Sequence, residues 1–187
     1  MTKYVLHGGY EEKMIGDDRK FYAEIVKGLS EPVKILLIFY AIQNDRWGER
    51  FRIIKNNFAY STEKMIEFTI ADVKVNKLIE QIKKSNVIYI RGGDSLPLVS
   101  KLKKVKNLKE LFEGKVVMGA SAGCYALGKY YYSRRRDKFL KGLGILPIKF
   151  MCHYAEELKD KWEKFKKYKE NLPILILKEN KFVVMKK

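Results

Sequence analysis

A serine flanked by small residues is the feature of this sequence best suited to chemistry. Gly119-Ala120-Ser121-Ala122-Gly123 fits the pattern G-x-S-x-G, between the apolar run Lys115–Met118 and a helical stretch. On a strand-to-helix turn, small neighbours let the backbone bend sharply, so that the serine hydroxyl projects above the sheet edge. The pattern therefore predicts that Ser121 is a nucleophile. An ordinary glycine-rich turn, whose serine caps the helix, fits the same residues.

A serine nucleophile needs a base, and the sequence offers two histidines, His7 and His153. Histidine suits this role because its ordinary pKa lies near neutral pH. His153 comes after Ser121 in the chain and follows the predicted strand Gly144–Phe150, so we predict it as the base. His7 also lies at the end of a predicted strand and stays open as the alternative.

Two pairs of glycines stand where backbone N–H groups could approach a reacting carbonyl. Gly92-Gly93 follow the predicted strand Asn86–Ile90, and Gly8-Gly9 follow the first strand. Such donors, with the N–H group of Ala122 at the start of a helix, stabilise a developing oxyanion. We predict Gly92, Gly93 and Ala122 as the oxyanion hole, with a plain tight turn as the alternative. For Gly8-Gly9 the tight turn is the preferred interpretation.

An acidic residue is needed to orient the histidine, and Asp137 is the candidate because it lies 16 residues after Ser121. The neighbouring cluster Arg134–Arg136 would keep this carboxylate ionised. The alternative is an exposed aspartate in a solvated ion pair. The arginines could instead bind an acidic substrate.

The elements that position these residues alternate between short strands and amphipathic helices. This alternation predicts an α/β fold, a three-layer, doubly wound, mostly parallel sheet with helices on both faces. Ligands bind such sheets at the carboxyl ends of the strands, where three of the turns described above lie. The predicted strands are Tyr4–Leu6, Val33–Tyr40, Met65–Ile70, Asn86–Ile90, Lys115–Met118 and Gly144–Phe150, and Leu172–Leu177 with Phe182–Met185 form a closing hairpin. The predicted helices are Arg19–Leu29, Arg46–Phe58, Val75–Lys84, Leu96–Leu111 in one piece or two, Ala122–Tyr132 and Glu156–Lys169.

Length and composition narrow the class of protein. The 187 residues predict a single domain over residues 1–187, with neither linker nor repeat. The net charge of +17 comes mainly from lysines scattered along the chain, which favours solubility over nucleic-acid recognition. Two cysteines are too few for a disulfide framework or a metal site. We see neither a secretory signal nor an apolar run of membrane-spanning length, and therefore expect a cytoplasmic protein without membrane contact.

Three segments together resemble the dipeptidase E and cyanophycinase family of serine peptidases, whose fold is that of class I glutamine amidotransferases. They are Ile88–Leu96 with Gly92-Gly93, Val116–Gly123 with Ser121, and Gly144–Tyr154 with His153. The resemblance covers essentially the whole chain. It implies a serine peptidase that needs no cofactor and cleaves short peptides, including those with an N-terminal aspartate, through an acyl-enzyme.

The same resemblance assigns roles to individual residues. Ser121 matches the nucleophile and His153 the base, Asp137 is the nearest match to the acid, and Gly92 or Gly93 with Ala122 would form the oxyanion hole. Asp94 stands where the family usually has asparagine, and we expect it to contact the substrate together with Arg136 of the arginine cluster.

Other functions remain open at this point. A member of the same fold without activity would serve as a binding or regulatory module, and a homodimer is a further expectation. A nucleic-acid-binding protein is the weakest alternative because only the charge of +17 favours it. Amidotransferase chemistry fits poorly because it uses cysteine at the position of Ser121.

Overall fold

The structure, a computed structural model, describes residues 1–9 and 19–187, and its centre is a mostly parallel sheet. Within these residues six strands form this sheet in the order β10-β1-β5-β4-β2-β3, with β10 antiparallel to β1 and the other pairs parallel. The strands are β1 Lys3–His7, β2 Val33–Ile38, β3 Ile66–Ile70, β4 Val87–Ile90, β5 Val116–Ala120 and β10 Phe182–Lys186.

The register of the parallel strands brings their carboxyl ends to one edge. His7 at the end of β1 lies opposite Ala120 of β5, and Ile90 at the end of β4 lies opposite Gly119. The turns that follow these three strands therefore meet, as ligand-binding turns do in such sheets.

Helices cover both faces of the central sheet because its strands are apolar on both sides. Along β2, for example, Ile35 and Leu37 point into one core and Leu36 and Ile38 into the other. The predicted α/β fold with helices on both faces is confirmed. One face carries α1 Arg19–Val26 and α2 Trp47–Ser61, and the other carries α3 Val75–Lys84, α4 Ser95–Leu102, α5 Leu108–Leu111 and α6 Ala122–Leu127.

A second sheet of four strands, in the order β7-β6-β8-β9, lies in the C-terminal half of the described residues. Its strands are β6 Gly128–Ser133, β7 Lys138–Lys141, β8 Leu146–Cys152 and β9 Ile174–Leu177, and helix α7 Lys159–Lys166 packs on one of its faces. The fully buried Lys149 of β8 donates hydrogen bonds to the carbonyls of Phe165 and Lys166. These bonds fix the C-terminal end of α7 to the sheet, since the last carbonyls of a helix lack partners of their own.

Two predicted elements are wrong, and both concern this second sheet. The predicted helix Ala122–Tyr132 ends at Leu127, and the chain continues as β6. The predicted closing hairpin does not form, because β9 pairs with β8 and β10 pairs with β1 in the other sheet. The predicted strands Tyr4–Leu6, Val33–Tyr40, Met65–Ile70 and Asn86–Ile90 are present with ends shifted by one or two residues.

No helix among the described residues is long and apolar enough to cross a membrane. The longest of them, α2, has 15 residues and a largely exposed outer surface.

Candidate active site

Ser121 stands at the sharp turn between β5 and α6. Its backbone has φ 48° and ψ −106°, a region that residues other than glycine rarely adopt. Its N–H group donates to the carbonyl of His7 at 2.9 Å, and its carbonyl accepts from Tyr125 at 3.1 Å. The Ser121 side chain makes no capping hydrogen bond to α6. The interpretation of Ser121 as a helix cap therefore does not hold, and the hydroxyl group is available for other contacts.

The elbow is packed so tightly that it requires glycine beside the serine. A Cβ atom on Gly123 would lie only 2.3 Å from the carbonyl oxygen of Ile90 in β4. The first turn of α6 therefore lies directly against the end of β4.

His153 follows the last residue of β8 and reaches the serine. Its Nε2 atom lies 2.7 Å from Ser121 Oγ, within hydrogen-bond distance. The His153 backbone is left-handed, with φ 55°, and the preceding Cys152 is fully buried in the core. This placement suits a base that takes the hydroxyl proton.

His7 has a structural position instead. Its ring is buried and lies 4.6 Å from the ring of Phe21, measured between centroids. Its Nδ1 atom accepts a hydrogen bond from the N–H group of Gly9, and its carbonyl holds the backbone of Ser121. His7 therefore supports the elbow, while the contact with the serine hydroxyl belongs to His153.

Gly9 packs directly against the His153 ring. A Cβ atom on Gly9 would lie 2.1 Å from Cε1 of His153, and the backbone has φ 120°. Gly9 also accepts a hydrogen bond from the N–H group of Asn180 at 2.9 Å. The preferred interpretation of the turn after β1 was a tight turn, but this turn also provides the space that the imidazole occupies.

Glu179 is the carboxylate that contacts the histidine. Its Oε1 atom lies 2.7 Å from Nδ1 of His153, on the side of the ring opposite Ser121. Glu179 stands in the turn between β9 and β10, which Gly8 and Gly9 hold through backbone hydrogen bonds to Lys181 and Asn180. Sequence reasoning treated Glu179 only as part of a hairpin turn. The available signal was an acidic residue two positions after a strand that could end at the same sheet edge.

Asp137, the predicted acid, contacts other residues. Its Oδ1 atom accepts a hydrogen bond from the Tyr132 hydroxyl at 2.7 Å, and its Oδ2 atom lies 2.6 Å from Nζ of Lys161 in α7. These two hydrogen bonds, that of Lys161 foremost, lower the pKa of Asp137 below its usual value. The expected contact of Asp137 with His153 is not made, because Tyr132 points to the face of the second sheet that packs on α7.

The predicted oxyanion residues lie next to the elbow. A Cβ atom on Gly92 would be 3.2 Å from Cβ of Ser121, so the Gly92-Gly93 turn passes directly beside the serine. Within the described residues, no backbone carbonyl accepts a hydrogen bond from the N–H groups of Gly92 and Gly93. Ala122 is the first residue of α6, where an N–H group has no acceptor inside the helix. The turn and the helix start thus both place backbone N–H groups close to Ser121.

Asp94 and Arg136, the predicted substrate contacts, are paired with each other. Nη2 of Arg136 lies 2.8 Å from Oδ2 of Asp94, and Nη1 of Arg135 lies 4.0 Å from the same oxygen. Oδ1 of Asp94 accepts from the N–H group of Leu96 and caps α4. The hydrogen bond from Arg136 is the main reason why the pKa of Asp94 lies below its usual value.

The two cysteines lie in the core beneath the site and are not bonded to each other as a disulfide. Sγ of Cys124 donates to the carbonyl of Gly119, and burial raises the pKa of the Cys152 thiol well above its usual value. A buried, protonated thiol is a poor nucleophile, so Cys152 is a weaker candidate than Ser121 for attack at this sheet edge.

The arrangement is a continuous chain of hydrogen bonds from a serine through a histidine to a carboxylate, with backbone donors nearby. Such a chain can transfer an acyl group: the histidine takes the proton of the attacking hydroxyl, and the donors stabilise the oxyanion.

Comparison with known proteins places the chain in a family. The model described as "Peptidase family S51" matches residues 15–187. A peptidase structure from an acI-B1 Actinobacterium has a TM-score of 0.71 at 18% identity, over 99% of this chain and 83% of the other. A candidate peptidase E protein from Listeria monocytogenes EGD-e has a TM-score of 0.67 at 15% identity, over 99% and 98% of the two chains. No curated protein matches the chain.

Proposed function

Because the chain belongs to peptidase family S51 and is a serine peptidase, we propose that Ser121 is its nucleophile, His153 its base and Glu179 the residue that orients His153. We propose short peptides as the substrates. Peptides with an N-terminal aspartate are within this class, and Arg91, Arg135 and Arg136 lie near the Gly92-Gly93 turn, where their contacts with Gly92 and Asp94 would decide how such a residue is received.

One observation carries the proposal. Ser121 Oγ, His153 Nε2, His153 Nδ1 and Glu179 Oε1 follow one another with two contacts of 2.7 Å. A carboxylate at Nδ1 holds the proton on that nitrogen and leaves Nε2 free to accept the serine proton. Gly9 lies against the same ring and leaves room for it, since a Cβ atom at this position would overlap the imidazole.

The reaction follows from these contacts. Ser121 Oγ attacks the carbonyl carbon of the scissile peptide bond while Nε2 of His153 takes the hydroxyl proton. The N–H groups of Ala122 and of the Gly92-Gly93 turn stabilise the oxyanion, and Glu179 stabilises the imidazolium ion. His153 then gives its proton to the leaving amine as the C–N bond breaks. Finally, His153 takes a proton from water, which attacks the ester, and returns that proton to Ser121.

The test is covalent labelling with a fluorophosphonate probe, which reacts with activated serines. Wild-type protein should label at Ser121, located by mass spectrometry of the modified peptide. Ser121→Ala should remove the label, and His153→Ala should slow labelling by about 1,000-fold or more. Labelling at another residue, or equal labelling of all three proteins, would contradict the assignment. Absence of labelling in every variant would instead favour the inactive binding module.

A further inference from the structure

The ion pair of Asp94 and Arg136 occupies the edge of the proposed site. Its two side chains are only 27% and 28% exposed, and the contact of 2.8 Å is a charge-assisted hydrogen bond. Arg135 approaches the same carboxylate at 4.0 Å, but its side chain is 75% exposed and it is therefore screened by water. Asp94 thus has one close cationic partner in this part of the structure.

This pair belongs to the turn that borders the nucleophile. Asp94 is two residues beyond Gly92, which borders the Cβ atom of Ser121, and two extended residues span at most about 7 Å. The turn is held in place on both sides. The N–H group of Asp94 donates to the carbonyl of Ala41 at 2.7 Å, and the buried Ser95 accepts from the Tyr131 hydroxyl at 3.0 Å.

A peptide bound at Ser121 would bring its N-terminal residue to this pair. The proposed function puts the carbonyl oxygen of this residue at the Gly92-Gly93 turn, which leads directly into Asp94, so the α-carbon and its substituents are the part of the substrate that can reach Asp94. An acidic side chain placed there meets a carboxylate that already holds the Arg136 guanidinium. Arg91 in the same turn is engaged as well, since its Nη1 atom donates to the carbonyl of Gly92 at 3.0 Å.

We infer that Asp94 determines specificity: by holding Arg136, it prevents the site from preferring acidic N-terminal residues over neutral ones of the same shape. This inference rests on the proposed function, because it places the substrate carbonyl at Ser121. Its consequence is that removal of the Asp94 charge alone should create a preference for aspartate, using an arginine that the protein already has.

Asp94→Asn is the suitable change because it removes the charge and little else. Asparagine is as good a helix N-cap as aspartate, so the contact with the N–H group of Leu96 and the start of α4 are retained. Its amide oxygen can still accept a hydrogen bond from Arg136, but it no longer neutralises the guanidinium. Arg136→Gln in the same background removes the cation and should cancel the effect.

The experiment measures binding rather than turnover. Every protein carries Ser121→Ala, and calorimetry gives the dissociation constants of the dipeptides Asp-Ala and Asn-Ala, which differ only in the side-chain carboxylate. Without further changes, the two dipeptides should bind within about threefold of each other. Asp94→Asn should shift the ratio by about fivefold or more towards Asp-Ala, and the further change Arg136→Gln should restore it. Glu67→Gln, which removes a carboxylate from β3 at the far edge of the sheet, should leave it unchanged.

Three outcomes would overturn the inference. They are a strong preference for Asp-Ala before Asp94 is changed, an unchanged ratio in Asp94→Asn, and no binding of either dipeptide to any variant. The labelling of Ser121 in the otherwise unmodified protein is independent of all three. If Ser121 labels and the ratio does not shift, the proposed function stands while the role of Asp94 fails. If the ratio shifts and Ser121 does not label, Asp94 governs dipeptide binding, but the proposed function and the placement of the substrate carbonyl at Ser121 both fail.

Discussion

Glu179 and Asp137 are two carboxylates in turns of the C-terminal half, and they have different partners. Each accepts a contact of 2.7 Å, Glu179 from the ring of His153 and Asp137 from the hydroxyl of Tyr132. Glu179 is 32% exposed, while Asp137 is 59% exposed and also pairs with Lys161. Chemical type and nearness to Ser121 along the chain thus do not decide which carboxylate reaches the histidine.

The two turns differ in what they connect. The turn of Glu179 joins β9 of the second sheet to β10 of the central sheet, so it crosses the line where the two sheets meet. His153 and Ser121 come to this line from opposite sides, at the ends of β8 and β5. The turn of Asp137 joins β6 to β7 inside the second sheet and packs towards α7. Glu179 reaches the base because its turn connects the two sheets, whereas the turn of Asp137 stays within one sheet.

Neutralising Glu179 and Asp137 separately tests most directly which of the two carboxylates orients His153. Glu179→Gln should lower the rate of fluorophosphonate labelling by about 1,000-fold or more, because the ring loses the charge that orients and stabilises it. Asp137→Asn, the matched control, should keep the rate within about twofold, as expected for an exposed residue away from the serine. The opposite ranking of these two variants would assign the orienting role to Asp137.

A smaller effect on the labelling rate is expected when Gly9, which packs against the imidazole of His153, is changed. Gly9→Ala places a methyl group where the His153 ring lies, so the ring must move and labelling should slow by about 100-fold. Gly48→Ala is the control, since that position in α2 has open space around it. It should leave the labelling rate unchanged, and alanine in a helix should slightly raise the midpoint of thermal unfolding. Equal rates in both variants would show that Gly9 does not position the ring.

The smallest effect concerns the stability that Asp137 contributes. Because its pKa is lowered in the folded protein by Lys161 and Tyr132, its contribution is present above the pKa of the unfolded chain. It is lost as the pH falls through the lowered pKa of the folded state. The difference in midpoint of urea unfolding between wild type and Asp137→Asn should thus be small but measurable at pH 7 and absent near pH 2. A difference that grows towards low pH would reverse the sign of this linkage.

Local patterns in the sequence predicted Ser121 and His153, because the position of each follows from the residues directly before and after it. Ser121 was placed between a strand and a helix because small residues, an apolar run and a helical stretch adjoin there. His153 was placed at a strand end for a similar reason. Both positions follow from short-range periodicity, which a single sequence carries well.

The errors arose where pairing between distant strands decides the structure. Gly128 is a helix stop, and the three tyrosines that follow favour a strand, so the end of α6 at Leu127 was readable from the sequence. The partners of β9 and β10 were not, because neighbouring strands with a turn between them usually form a hairpin. A hairpin of β9 and β10 does not bring the turn of Glu179 to the end of β8, so the contact between Glu179 and His153 was not predicted. The expectations of a single domain, of a homodimer and of no nucleic-acid partner stay predictions.

The proposed site takes its residues from turns that lie far apart in the chain, and this has a consequence for the life of the protein in a cell. Gly9, Ser121, His153 and Glu179 meet only when both sheets have formed and docked. A chain that is still being synthesised, or that has folded only in part, has no hydrolytic centre. On the proposed assignment, the peptidase becomes active only after its two sheets have docked, and a partly folded chain cannot digest itself or its neighbours.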